Sequence, residues 1–218
     1  MLFLISLIPI SQLDGVRNYL RKDKFLIAKS KNRGIANGEA LEVYAQSLPT
    51  GFKRDISLHP QGCGICRGAV LEFVRLLSQL TEPGKLPTEQ DIRLIASQFS
   101  NGAPVNAVIF QRLRDEIGDR LALHPYNIRL VDPLPNERTV FNEKEFFDLL
   151  QNVDAGIYSL MSRYHSTLFI KISNDHMFFF DPLHGTYRFT SLEDIRSVIL
   201  HSWFFREYGI QKVIFDDP

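Results

Sequence analysis

Apolar residues at Val70, Phe73, Val74 and Leu77 recur at the i, i+3, i+4, i+7 spacing of one helix face, which predicts a buried helix from Gly64 to Leu80. Pro83-Gly84 stops it. Thr88 followed by Asp91 offers an N-cap for a second helix to about Phe99, and Pro104 opens a third to about Ile117. After Asn127 the texture changes. Residues 127–131 read as a short strand, and Asn142 caps a helix to about Leu150. Runs rich in Ile, Phe, Tyr and Thr follow over Gly156–Tyr164, Ser166–Ser173, Met177–Asp181 and Thr186–Phe189, separated by the hairpin turns Asn174-Asp175 and Leu183-His184-Gly185. That pattern predicts an antiparallel sheet. A last helix follows Ser191, with Glu193 and Asp194 in its first turn and Ile195, Val198, Ile199 and Trp203 on one face, before a strand over Ile210–Phe215. Residues 1–55 differ: the turn signals Asn32-Arg33-Gly34, Asn37-Gly38 and Pro49-Thr50-Gly51 leave room for one short helix near Ala40–Ser47. The expectation is an N-terminal extension over 1–55 and an α+β domain over 56–218, its helical half packed on the sheet.

A chain of 218 residues suits one domain with a small extension. Its 44% hydrophobic and 23% charged residues are ordinary globular usage, which indicates neither disorder nor a fibrous class. Lysine plus arginine (25) balance aspartate plus glutamate (25), so charge gives no support for a nucleic-acid or acidic-membrane partner. The opening run Met1–Ile10 is apolar for only about ten residues, too short for an integral membrane span, and lacks the basic start and cleavage site of a secretory signal. It reads as a buried strand, a partner-binding segment or a secretion address of another kind.

The two cysteines, Cys63 and Cys66, share one Cys-Gly-Ile-Cys stretch, so there is no disulfide framework. Half a zinc site is one reading, but no second CxxC or HxxxH completes the ligand set. A thioredoxin-like pair is another, but about sixty residues precede the motif instead of a short strand. The third is a nucleophile with an incidental neighbour, and the position of Cys66 favours it. The free NH groups and dipole of a helix N-terminus stabilise a thiolate. Gly62 and Gly64 permit a tight approach upstream, and Gly68 and Ala69 leave room over the helix. Gln61 is either placed to join the Cys66 backbone NH in holding an oxyanion or is an ordinary exposed loop glutamine. Arg67 either steers an acidic substrate group or is simply exposed.

A thiol nucleophile needs a base from the other half of the fold, best supplied by a histidine at a strand start. Among six histidines, His165 fits, because it opens the run Ser166–Ser173. The next strand returns through Asn174-Asp175 and brings Asp181 level with it, 16 residues on. An aspartate there can accept the imidazole NH, fix its tautomer and stabilise the imidazolium. Pro182 ends the strand and leaves the carboxylate at the rim. His184 is expected to face solvent, Phe178-Phe179-Phe180 to be core on both sheet faces, and His59 and His124, each before a proline, to be structural loop residues. No GxGxxG, P-loop, HExxH or acidic cluster appears, so no cofactor or metal is expected.

The segments Gly64-Ile65-Cys66-Arg67-Gly68 and Phe179-Phe180-Asp181-Pro182-Leu183-His184-Gly185, with the strand opening at His165, resemble the YopT/AvrPphB-type cysteine proteases, papain-like bacterial effectors. The resemblance covers roughly residues 60–190. It implies a papain-like fold, Cys66 as nucleophile, His165 as base, Asp181 as orienting acid and Gln61 as oxyanion donor. It further implies a protein secreted by a bacterium into the host cytosol, acting on a host protein, with a secretion chaperone as a candidate partner of the N-terminal segment. That segment could equally be a propeptide or part of the core. Leu183-His184 replaces the usual asparagine-containing turn, and the short Cys66-to-His165 interval trims the substrate-facing elements. The alternatives are a lysine acyltransferase or glutamine deamidase using the same thioester chemistry, or a non-catalytic papain-like binding module.

Overall fold

The computed structural model describes residues 39–42, 66–99, 105–132, 143–162, 165–182, 185–196 and 208–217. Its helices are α1 (Cys66–Leu80), α2 (Glu89–Gln98), α3 (Val105–Ile117), the short α4 (Asp119–Leu123), which runs into a 3₁₀ turn over His124–Tyr126, and α5 (Glu143–Asn152). Its strands are β1 (Glu39–Glu42), β2 (Ile128–Val131), β3 (Gly156–Ser162), β4 (Ser166–Ser173), β5 (His176–Asp181), β6 (Gly185–Phe189) and β7 (Tyr208–Phe215). They form one sheet in the order β1-β6-β5-β4-β3-β7-β2, every pair antiparallel. The class is α+β, as the sequence pattern predicts.

Alternation along β5 explains how both faces are covered. Phe178 and Phe180 point into a core with Phe73 of α1, Ile92 and Ile95 of α2, and Phe99. The Phe180 ring lies 4.5 Å from that of Phe73 and 5.1 Å, edge-on, from that of Phe99, separations favourable to aromatic pairing. Met177 and Phe179 point the other way, into a second core with Phe146 and Leu150 of α5 and with Tyr158, Phe169 and Tyr187 of the sheet. The triple phenylalanine therefore serves both faces.

The helix boundaries follow local chemistry. Thr88 caps α2 through a full capping box: its hydroxyl accepts from the Asp91 backbone NH at 3.2 Å, and the Asp91 carboxylate accepts from the Thr88 NH at 2.9 Å. Thr88→Ala is expected to cost about 1 kcal/mol and Thr88→Ser to restore most of it, measured by thermal unfolding. The first two turns of α1 are buried nearly all round, Arg67 and Glu72 included, and α3 crosses α1 closely at Gly68. A Cβ on Gly68 would sit 1.9 Å from the Ala107 carbonyl oxygen, so glycine is required there.

One expectation changes. The segment expected to be helical from Ala40 begins as a strand, Glu39–Glu42, paired antiparallel with β6. Glu-Ala-Leu-Glu suits a helix by propensity, but an unpaired sheet edge offers backbone partners that an isolated turn lacks. It is the one piece of residues 1–55 among those described. The turn and short helix over 119–126 have no apolar periodicity long enough to announce them. Residues 192–196 are helical as expected, while Val198, Ile199 and Trp203 lie outside the described residues.

Candidate active site

Three side chains singled out from the sequence meet at one end of the sheet. Cys66 opens α1, which packs against β4 and is held there by the apolar face formed by Val70, Phe73, Val74 and Leu77. His165 immediately precedes β4, and Asp181 ends β5. The two-residue turn at Asn174-Asp175, with a register shift between Lys171 and Ser173, sets Leu168 opposite Phe180 and brings the open ends of the hairpin together. His165 Nε2 lies 3.0 Å from Asp181 Oδ1. The imidazole also hydrogen-bonds Cys66, and with Nε2 taken by the carboxylate this leaves Nδ1 for the thiol. All three groups are buried: Cys66 is 5%, His165 7% and Asp181 0% exposed.

Burial opposes the charged imidazole and is the largest single influence on it. The charges of Asp181 and Cys66 and hydrogen bonds to both outweigh that cost, so the pKa of His165 stands well above the ordinary histidine value. Such an arrangement can take a proton from the thiol and stabilise the resulting imidazolium. A carboxylate on the far nitrogen fixes the ring against rotation.

Arg67 corrects the sequence reading. It is only 5% exposed, and its guanidinium is committed inward. Nε and Nη2 donate to Asp119 Oδ2 at 2.9 and 2.6 Å, Nη1 donates to Ser159 Oγ on β3, and Nη2 also reaches Gln211 Oε1 on β7 at 3.3 Å. Sequence reasoning missed Asp119, Ser159 and Gln211, whose separation from Arg67 along the chain leaves no local signal. Gln61, Cys63, His59 and His184 lie outside the described residues. His124 opens the 3₁₀ turn and is exposed.

A cavity of about 710 Å³ opens at the opposite, turn end of the β4–β5 hairpin, lined by Phe147, Lys171, Asn174, Met177, Ser191 and Arg196 among others. Its one nearly buried cation, Lys171, already donates to the Gln151 and Val153 carbonyls at 3.0 and 2.9 Å, closing the C-terminus of α5. Burial lowers the pKa of that amine, and Asp154 offsets part of the effect. Among the described residues, no group of three or more His, Cys, Asp or Glu could hold a metal, and no helix is long and apolar enough to cross a membrane.

A helical layer that opens on a cysteine, laid over an antiparallel sheet with a histidine and an aspartate at its rim, is the papain-like α+β fold. The crystal structure of the Pseudomonas avirulence protein AvrPphB is similar, with a TM-score of 0.50 and 11% identity over 74% of this chain and 98% of that one. At that identity the likeness is one of fold. No family model and no curated protein sequence matches the chain.

Proposed function

We propose that the protein is a cysteine hydrolase acting on a protein substrate, with Cys66 as nucleophile, His165 as general base and acid, and Asp181 as the group that orients His165. The observation that carries this reading is the buried His165 imidazole, bonded to Asp181 on one nitrogen and to Cys66 on the other. Cys66 passes its proton to His165 and attacks a carbonyl as the thiolate. The tetrahedral oxyanion is held by the Cys66 backbone NH, with Gln61 as the expected second donor. His165 then protonates the leaving amine. The thioester that remains is resolved by water, which His165 deprotonates.

The fold likeness to an avirulence protein supports a bacterial effector role, with delivery into a host cell and a host protein as substrate. An N-terminal segment served by a secretion chaperone fits the same role.

The test is alkylation of Cys66 by iodoacetamide across pH, with Cys63→Ser removing the second thiol. In wild type, reactivity should persist below neutral pH, where a free thiol of pKa about 8.5 is almost wholly protonated. At pH 6 such a thiol is ionised to about 0.3%, so an ion pair could gain about 300-fold in thiolate population. The lower nucleophilicity of a less basic thiolate takes back about a decade or more, and His165→Ala is therefore expected to slow alkylation at pH 6 by about tenfold. Reactivity that follows a free thiol in wild type, and is untouched by His165→Ala, would leave a non-catalytic binding module as the reading.

A further inference from the structure

The two residues after Cys66 begin and end a closed ring of polar contacts. Arg67 pairs with Asp119 at 2.6 Å, and Arg114 lies 3.6 Å from the other oxygen of Asp119. Arg114 donates to Asp115 at 2.9 Å, and Gln111 Nε2 donates to the same carboxylate at 3.2 Å. Gln111 Oε1 then accepts from the backbone NH of Gly68 at 2.9 Å. The ring thus runs from α1 through α4 and α3 and back to α1, one residue on. Branches from Arg67 to Ser159 and Gln211 fasten it to β3 and β7.

Ion pairs this enclosed add little net stability, since desolvation consumes most of the attraction. They differ from the apolar contacts of α1 in direction. Apolar burial holds a helix on a sheet but scarcely distinguishes positions a few tenths of an ångström apart, whereas hydrogen bonds weaken steeply with misalignment. Attack by a side chain is sensitive to displacements of about 1 Å. The ring is anchored on the first turn of α1, the turn that carries Cys66, and reaches both the neighbouring helices and the sheet on which His165 stands.

We propose that Arg67, Asp119 and Gln111 are positioning residues that fix the first turn of α1 so that the Cys66 thiol meets His165. This rests on Cys66 and His165 acting as the reactive pair. The charges around that turn are Arg67 on α1, Asp119 on α4, Arg114 and Asp115 on α3, and His165 and Asp181 at the sheet rim.

The experiment is the pH midpoint of Cys66 alkylation by iodoacetamide in the full chain, on a Cys63→Ser background, for Asp119→Asn and Gln111→Met, with thermal unfolding recorded alongside. Positioning predicts that the midpoint rises in both variants by about one pH unit, a tenfold weaker ion pair, while the fold persists. Charge alone predicts the reverse for Asp119→Asn, because removing the anion that pairs with Arg67, the residue after Cys66, favours the thiolate. Gln111 is neutral, and freeing the Gly68 NH would likewise favour the thiolate. A falling midpoint therefore overturns the proposal, as does an unchanged one, which would make the ring merely structural. If one variant fails to fold, the other decides; if neither folds, the ring belongs to global stability and the proposal is overturned. A wild type with no reactivity below the free-thiol range would instead remove the proposed function on which the ring's role depends.

Discussion

Asp181→Asn is expected to destabilise the fold by about 3 kcal/mol at pH 6, and by clearly less at pH 10. The expectation follows from what the substitution leaves behind. His165 is 7% exposed and Asp181 fully buried, so the exchange removes the counter-charge from an imidazolium largely shielded from solvent. In the native protein burial disfavours the charged ring, yet the Asp181 and Cys66 charges and their hydrogen bonds raise its pKa well above normal. A group whose native pKa exceeds its unfolded value binds its proton more tightly when folded. Its stabilisation is complete below the unfolded pKa, about 6.5, and is lost as pH rises through the native value. In Asp181→Asn burial is opposed by Cys66 alone, and most of that increment disappears. The gap between wild type and variant should thus be widest on the acid side and narrow as pH climbs. Urea unfolding at the two pH values measures it. A gap that is flat with pH would mean that the native imidazole is neutral throughout and that the pair is a plain hydrogen bond.

The hairpin that builds this pair is legible in the sequence because every step is local. Asn174-Asp175 fixes the turn, alternation fixes the face of each phenylalanine, and Pro182 ends the strand. Counting back from the turn places His165 and Asp181 at the same open end. The capping box at Thr88 and Asp91 is equally local, and the helix begins where it indicates. What could not be read depends on contacts between distant segments. Glu39–Glu42 becomes a strand only because β6 presents an edge. Arg67 has nothing in its neighbourhood to show that Asp119, Ser159 and Gln211 converge on it, and an arginine near a nucleophile reads more naturally as a substrate contact than as an internal tie. Gly68 shows the same limit from the other side. The sequence suggests room above the helix, whereas the structure fills that room with the backbone of α3.

Gly68→Ala sets two effects of opposite sign against each other. By helix propensity alone, alanine should stabilise a helix interior by up to about 1 kcal/mol. Here the added Cβ would lie 1.9 Å from the Ala107 oxygen and 2.8 Å from the Gln111 nitrogen, both backbone atoms of α3. No flexible side-chain end can swing aside, so α1 and α3 have to separate by about 1 Å, and packing around Phe73, Ala107 and Phe110 opens with them. Overpacking of this kind costs up to about 3 kcal/mol, which exceeds the propensity gain, and for a chain of this size corresponds to a melting point lower by very roughly 10 °C. The displaced turn is the one that carries Cys66, and the Gly68 NH loses its alignment with Gln111. Alkylation of Cys66 at pH 6 should therefore slow together with the loss of stability. Gly68→Val, bulkier and branched, should prevent folding at ordinary temperature, given total stabilities of about 5–15 kcal/mol. An alanine variant that melts higher than wild type would show propensity prevailing, and the close crossing of α1 and α3 would then not be what holds the nucleophile's turn.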